Sequence, residues 1–94
     1  MDLYVVLRRD GWQDTNELGL AAERSKAVAD SQFPADISWV RSYVVPEESG
    51  RLGTVCIYQA SSEQAIRDHA AAADLPVTEI RRSISTVVMG PDPE

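Results

Sequence analysis

The sequence is poor in cysteine and histidine, and it contains no apolar run long enough to cross a membrane. The single cysteine, Cys56, excludes an internal disulfide and is typical of a protein from a reducing cytoplasm. An acid follows Met1 and strand-like sequence begins directly after it, so we expect no secretory signal. These features together predict a cytoplasmic protein.

The sequence also lacks the motifs of common catalytic sites. It has no nucleophile elbow with histidine and acid partners, no glycine-rich phosphate loop and no Cys-x-x-Cys pair. Fifteen acidic residues against nine basic ones give a net charge of −6, which argues against nucleic acid and anionic membrane as partners. A binding protein is therefore favoured over an enzyme, although the composition does not identify the ligand.

The order of apolar patterns along the chain predicts the fold. Asp14 with Glu17, and Ser61 with Gln64, indicate capping boxes at the starts of two helices. The predicted strands are residues 3–9, 37–45, 52–59 and 79–89, and the predicted helices are residues 15–31 and 62–74. This βαββαβ order is that of a ferredoxin-like α+β sandwich, with an antiparallel sheet of order 4-1-3-2 and both helices on one face. We expect one domain over residues 1–89 and a disordered C-terminal tail over residues 90–94.

The second strand carries aromatic and apolar residues on both faces. Simple alternation places Trp39, Arg41 and Tyr43 on one face, with Tyr58 on the neighbouring strand. The helices can cover only one face of the sheet, so the other face would remain exposed. These four residues predict either the interface of a homodimer or a face that binds a flat or anionic small molecule.

Several segments resemble a family of small bacterial proteins described as nickel-binding-protein-like. The segments are Trp39-Val-Arg-Ser-Tyr-Val-Val45, Thr54-Val-Cys-Ile-Tyr-Gln-Ala60 and Ser62-Glu-Gln-Ala-Ile-Arg-Asp-His69 with Ala73-Asp-Leu-Pro76. The resemblance covers residues 3–88 and implies a ferredoxin-like fold, a tendency to dimerise and nickel as a ligand. The resemblance also implies two potential ligands that this chain lacks, since metal-oriented relatives tend to carry a second histidine at the position of Ala73 and many relatives carry an acid at that of Leu7.

The candidate metal ligands are His69 and Cys56. His69 shares a helical stripe with Ile66, Ala70 and Ala73, so it should face the sheet. A neutral imidazole with a thiolate suits Ni²⁺ or Zn²⁺, but one histidine and one cysteine form only half a site. The alternative is a buried histidine bonded to the backbone or an acid, beside an inert buried thiol.

Five arginines form a candidate anion site. The antiparallel order brings the end of the first strand to the start of the fourth, where we expect these residues to gather: Arg8, Arg9, Arg51, Arg81 and Arg82. Nearby acids offer the alternative of ordinary surface ion pairs. Trp12 lies at the same end, either as a lid over such a site or packed on the core.

Overall fold

The computed structural model describes residues 1–93 and confirms the predicted order of elements. The strands are β1 (Asp2–Trp12), β2 (Ile37–Pro46), β3 (Leu52–Ala60) and β4 (Glu79–Arg82), and the helices are α1 (Thr15–Gln32) and α2 (Glu63–Ala72). The sheet has the order β2-β3-β1-β4, and every neighbouring pair is antiparallel. The ferredoxin-like α+β fold is therefore confirmed, and Glu94 lies outside the described residues.

Both helices begin at a residue whose side chain caps the first turn. The Asp14 carboxylate accepts a hydrogen bond from the backbone N–H of Glu17 at 2.9 Å. In α2 the cap is Ser62, which accepts from the N–H of Ala65, so the prediction of Ser61 as the cap was wrong by one residue. The Ser61 hydroxyl instead donates to Asp36, which ties the end of β3 to the start of β2.

The core lies between the helices and one face of the sheet. Its sheet layer comes from all four strands, and its helix layer comes from both helices; the cluster is Tyr4, Val6, Ile37, Cys56, Tyr58, Ala60, Ile80, Ala29, Ala65 and Ile66. Arg24 of α1 donates to the carbonyls of Ala73 and Asp74 just beyond α2. These bonds satisfy carbonyls at the negative end of the α2 dipole and hold the two helices together.

β1 continues past the expected end because it contains a bulge. Arg8 pairs with Thr54 and Trp12 pairs with Leu52, so three residues of β1 lie opposite Gly53 alone. Asp10 has a φ of 52°, a left-handed conformation that aspartate adopts more readily than most residues. The Asp10-Gly11 pair therefore bends the strand and does not end it.

A second bulge lies in β2 and corrects the predicted faces. Trp39 pairs with Tyr58 and Arg41 pairs with the next residue of β3, Ile57, so Val40 is an extra residue. An extra residue reverses the alternation beyond it. Trp39 consequently lies on the helix side of the sheet, whereas Arg41 and Tyr43 lie on the other side, which we call the open face.

β4 is shorter than predicted, because only Glu79–Arg82 pair with β1. Beyond Ser83, whose N–H donates to the Leu3 carbonyl, the described chain forms no further helix or strand. Residue Asp92 lies against β2 on the open face, where it contacts Arg41 and Tyr43. Within residues 1–93, neither helix combines the length and the apolar character that crossing a membrane requires.

Candidate functional site

A cavity of about 300 Å³ lies between α1 and the helix side of β1, β2 and β3. It is lined by Arg8, Trp12, Leu18, Ala21, Ala22, Ser25, Trp39, Ser42, Val44, Thr54, Cys56, Tyr58 and Leu75. The lining is mostly apolar, and the exposed side chains of Trp39 and Val44 mark where it opens to solvent. An apolar concave site of this size with a few polar groups is typical of small-molecule binding.

Residues next to the two bulges line this cavity. In β1 the bulge leaves Trp12 on the side on which Arg8 lies, because their partners Leu52 and Thr54 are two residues apart on β3, and Trp12 is 5% exposed. In β2 the bulge brings Ser42 to the side of Trp39, whose indole N–H donates to the Ser42 hydroxyl at 2.8 Å. Bulges often direct side chains into functional sites in this way.

Among the described residues, Arg8 is the only charged one that lines the cavity, and it is 1% exposed. One guanidinium nitrogen donates to the Pro76 carbonyl at 2.7 Å, and another lies 3.5 Å from the Tyr58 hydroxyl. No carboxylate in residues 1–93 forms a salt bridge with it. Arg8 is thus a buried cation that has only neutral partners within the described chain.

Tyr58 forms the floor of the cavity. Its ring stacks on Trp39 with 6.3 Å between the ring centroids, and the Arg8 guanidinium carbon lies 6.0 Å from its centroid. Burial raises the pKa of Tyr58, an effect that the Arg8 charge and a hydrogen bond with Ser25 oppose only in part. The hydroxyl therefore remains protonated at neutral pH and is able to donate a hydrogen bond.

His69 lies behind this floor, as the sequence predicted, facing the sheet from α2. Its Nε2 lies 3.0 Å from the Ser25 carbonyl, which only accepts, so Nε2 carries the proton. Burial is the main cause that lowers the pKa of His69; the nearby Arg8 charge adds to it, and the Ser25 carbonyl opposes it. His69 is thus a neutral ring packed against Phe33 and Tyr58, and its Nδ1 has no partner among the described residues.

The five arginines of the predicted anion site do not gather at one end. Arg81 pairs with Val5, three residues before Arg8 on β1, which separates the two by about 10 Å along the sheet. Arg82 lies opposite Tyr4, further still from Arg8. The expected position was wrong for Arg81 and Arg82, because β4 pairs with the first half of β1.

Three of the exposed arginines, Arg9, Arg51 and Arg81, have partners close by. Arg9 lies 3.8 Å from the Glu47 carboxylate, and Arg51 donates to the Asp10 carbonyl at 2.8 Å. Arg81 pairs with Glu79. Arg8 differs from them in being buried within the cavity.

The predicted set of Trp39, Arg41, Tyr43 and Tyr58 is divided between the two faces of the sheet. On the open face, Arg41 and the Tyr43 hydroxyl both contact the Asp92 carboxylate. The Tyr43 hydrogen bond is the main cause that lowers the pKa of Asp92. Trp39 and Tyr58 belong to the cavity on the opposite side.

Comparison with known proteins identifies the family. Residues 4–82 match the family described as nickel responsive protein SCO4226-like. The chain belongs to the SCO4226-like family. The crystal structure of SCO4226 from Streptomyces coelicolor A3(2) superimposes with a TM-score of 0.72 at 16% identity, covering 90% of this chain and 99% of that one. At this identity the superposition shows a shared fold, and no curated protein matches the sequence.

The description of the SCO4226-like family raises the question of whether this chain's residues fit a nickel site. Cys56 and His69 lie on the same side of the sheet, but the Cys56 thiol lies in the core and is 3.2 Å from the Thr54 hydroxyl. Residues 1–93 contain no group of three or more histidine, cysteine and acidic side chains that could hold a metal ion. A nickel site with several protein ligands therefore does not fit the described chain.

Leu7 and Ala73, the positions at which the resemblance implied further ligands, lie on opposite sides of the sheet. Leu7 alternates with the buried Val6 and Arg8, so it lies on the open face. Ala73 is fully buried at the end of α2, on the side of His69. An acid at position 7 would thus be separated from His69 by the sheet.

Sequence reasoning missed the cavity as a site, although it singled out several of its residues. The sequence placed Arg8 among the arginines of the predicted anion site, and it did not indicate that Ser25, Ser42 and Thr54 line a cavity. The Asp10-Gly11 pair was the available signal for the first bulge, since both residue types favour left-handed backbone. No comparable signal marks Val40.

Proposed function

We propose that this chain is a binding protein for a small organic molecule, which occupies the cavity between α1 and the sheet. The observation that carries the proposal is an apolar cavity of about 300 Å³ with both tryptophans of the chain in its wall. Aromatic walls suit a flat or extended apolar ligand. The single, buried cysteine is in keeping with a cytoplasmic location.

A fluorescence titration tests this function, because Trp12 and Trp39 are the only tryptophans. We expect phenylpropanol, a neutral probe small enough for the cavity, to change the emission in a saturable manner. A Trp39→Phe variant should retain the part of the change that arises from Trp12. A linear response of the wild type, without saturation, would contradict the proposal.

We further propose that the protein is a homodimer assembled through the open face. Half-buried apolar residues of β1 and β3 form the centre of this face; they are Leu3, Val5, Leu7, Val55 and Ile57. The segment after β4 carries apolar side chains that are 76–93% exposed, namely Ile84, Val87, Val88 and Met89. Apolar surface of this extent supports association with a second copy.

The dimer proposal predicts that the double variant Val87→Asp, Val88→Asp will be monomeric. Charges buried at the interface should raise the dimer dissociation constant at least about a hundredfold in analytical ultracentrifugation. Leu20→Asp is the control, since Leu20 is an exposed apolar residue on α1. A monomeric wild type, or a double variant as dimeric as the control, would overturn the proposal.

Nickel binding through His69 is a second candidate, which the family description and the unpartnered Nδ1 support. Because His69 is 1% exposed and has no neighbouring ligands, the affinity should be weak, with Kd no tighter than about micromolar. Calorimetric titration with Ni²⁺ of the wild type and of His69→Gln tests it. Equal heats from the two proteins would reject His69 as a ligand, and the same comparison applies to Zn²⁺.

A further inference from the structure

We propose that the ligand of the cavity is a small organic monocarboxylate, with its carboxylate on the Arg8 guanidinium and its apolar part between α1 and the two tryptophans. This inference rests on the proposed function and specifies the chemistry of the ligand.

Arg8 is buried without a charged partner among residues 1–93. A guanidinium has five N–H donors arranged to hold a carboxylate, yet the described chain offers Arg8 one carbonyl and one distant hydroxyl. Buried charges are ordinarily paired, because removing a cation from water is costly. An anionic ligand in the cavity supplies the pairing that residues 1–93 do not.

The charge distribution within the cavity also favours a monoanion. Within residues 1–93, none of the lining residues is acidic, and Arg8 is the only cation among them. The hydroxyls of Tyr58, Ser25 and Thr54 also line it and are further donors for a bound oxyanion. A single positive charge in an apolar site matches one negative charge on an apolar body better than it matches a phosphate dianion.

The cavity is separate from an acidic groove at the same end of the sheet. The protein has a net charge of −6, and three of its acids lie in that surface groove with Arg9 and Ser49. That groove is lined by Asp10, Glu47 and Glu48, none of which lines the cavity. Among the described residues, Arg8 is therefore the charge that a ligand in the cavity would contact.

Three probes with one carbon skeleton and different charges test the proposal: phenylpropanoate, phenylpropanol and phenylpropylamine. We expect the carboxylate to bind the wild-type protein at least about tenfold more tightly than the alcohol, and the amine to bind most weakly. Binding is measured by tryptophan fluorescence and by calorimetry.

The matched variants are Arg8→Met, which keeps the length of the side chain but removes its charge, and Arg9→Met. Arg9 is the exposed neighbour on β1, so its replacement changes the net charge equally. Arg8→Met should bind the carboxylate about tenfold to a hundredfold more weakly and the alcohol at least as tightly as the wild type. Arg9→Met should bind all three probes as the wild type does.

The outcomes separate the two proposals. If the alcohol and the carboxylate bind the wild type equally, or if Arg8→Met retains the preference for the carboxylate, the monocarboxylate inference is wrong while the binding function stands. If none of the three probes binds, the proposed function itself fails. Should Arg8→Met not fold, the ranking of the probes on the wild type decides alone.

Discussion

Replacing Ala22 with phenylalanine is expected to weaken the binding of phenylpropanol at least about tenfold, equivalent to about 1.4 kcal/mol, while the protein stays folded. Ala22 lies on α1 and lines the cavity, so a larger side chain there enters the space that the ligand needs. Filling existing space avoids most of the cost of overpacking a dense core. Fluorescence titration gives the affinity, and thermal unfolding checks the fold.

The control for this variant is Ala27→Phe, on the solvent-exposed side of the same helix. It adds the same side chain to α1 without entering the cavity, and its affinity for the probe should equal that of the wild type. Equal affinities for the Ala22 and Ala27 variants would place the ligand outside the cavity and contradict the proposed function.

Replacing Gly53 with alanine is expected to destabilise the protein by about 1–3 kcal/mol. A Cβ at this position would lie 2.8 Å from the Arg8 carbonyl oxygen, which belongs to the backbone where the β1 bulge begins. The bulge must then shift, and Trp12 with it. For a chain of this length, each kcal/mol corresponds to a fall in Tm of about 4–8 °C, measurable by calorimetry.

Replacing Gly19 with alanine should have the opposite effect on stability. Gly19 lies within α1, and a Cβ there meets nothing within 4 Å. Alanine at a helical position free of contacts should stabilise the protein by about 0.5–1 kcal/mol. If the Gly53→Ala variant is as stable as Gly19→Ala, the bulge adjusts to the added Cβ at little cost in free energy and does not fix the position of Trp12.

Local signals in the sequence were sufficient to predict the helices and strands and their order. Asp14 supplies the N-cap of α1 as predicted, and the start of α2 was misplaced only by one residue because Ser61 and Ser62 are both cap formers. The length of β4 was overestimated for a different reason, the absence of a pairing strand within residues 1–93. Residues 83–89 have the composition of a strand, but strand formation also requires a neighbour, and within the described chain β4 pairs with β1 only as far as Arg82.

The site was less predictable because it depends on which face each side chain occupies. One extra residue at Val40 reverses the faces of everything beyond it, so Arg41 and Tyr43 were assigned to the side of Trp39 when they lie on the open face. Similarly, the register of β4 against β1 separates Arg81 and Arg82 from Arg8.

The sequence by itself determined the ferredoxin-like fold, because helix caps, turns and apolar periodicity are properties of neighbouring residues. It also indicated that His69 faces the sheet, since helical spacing defines a face. Only the tertiary structure decided that Arg8, Trp12, Trp39 and Tyr58 share one cavity. The physical reason is that bulges and strand register arise from pairing between residues far apart in the chain, and a shift of one residue moves a side chain from one face of the sheet to the other.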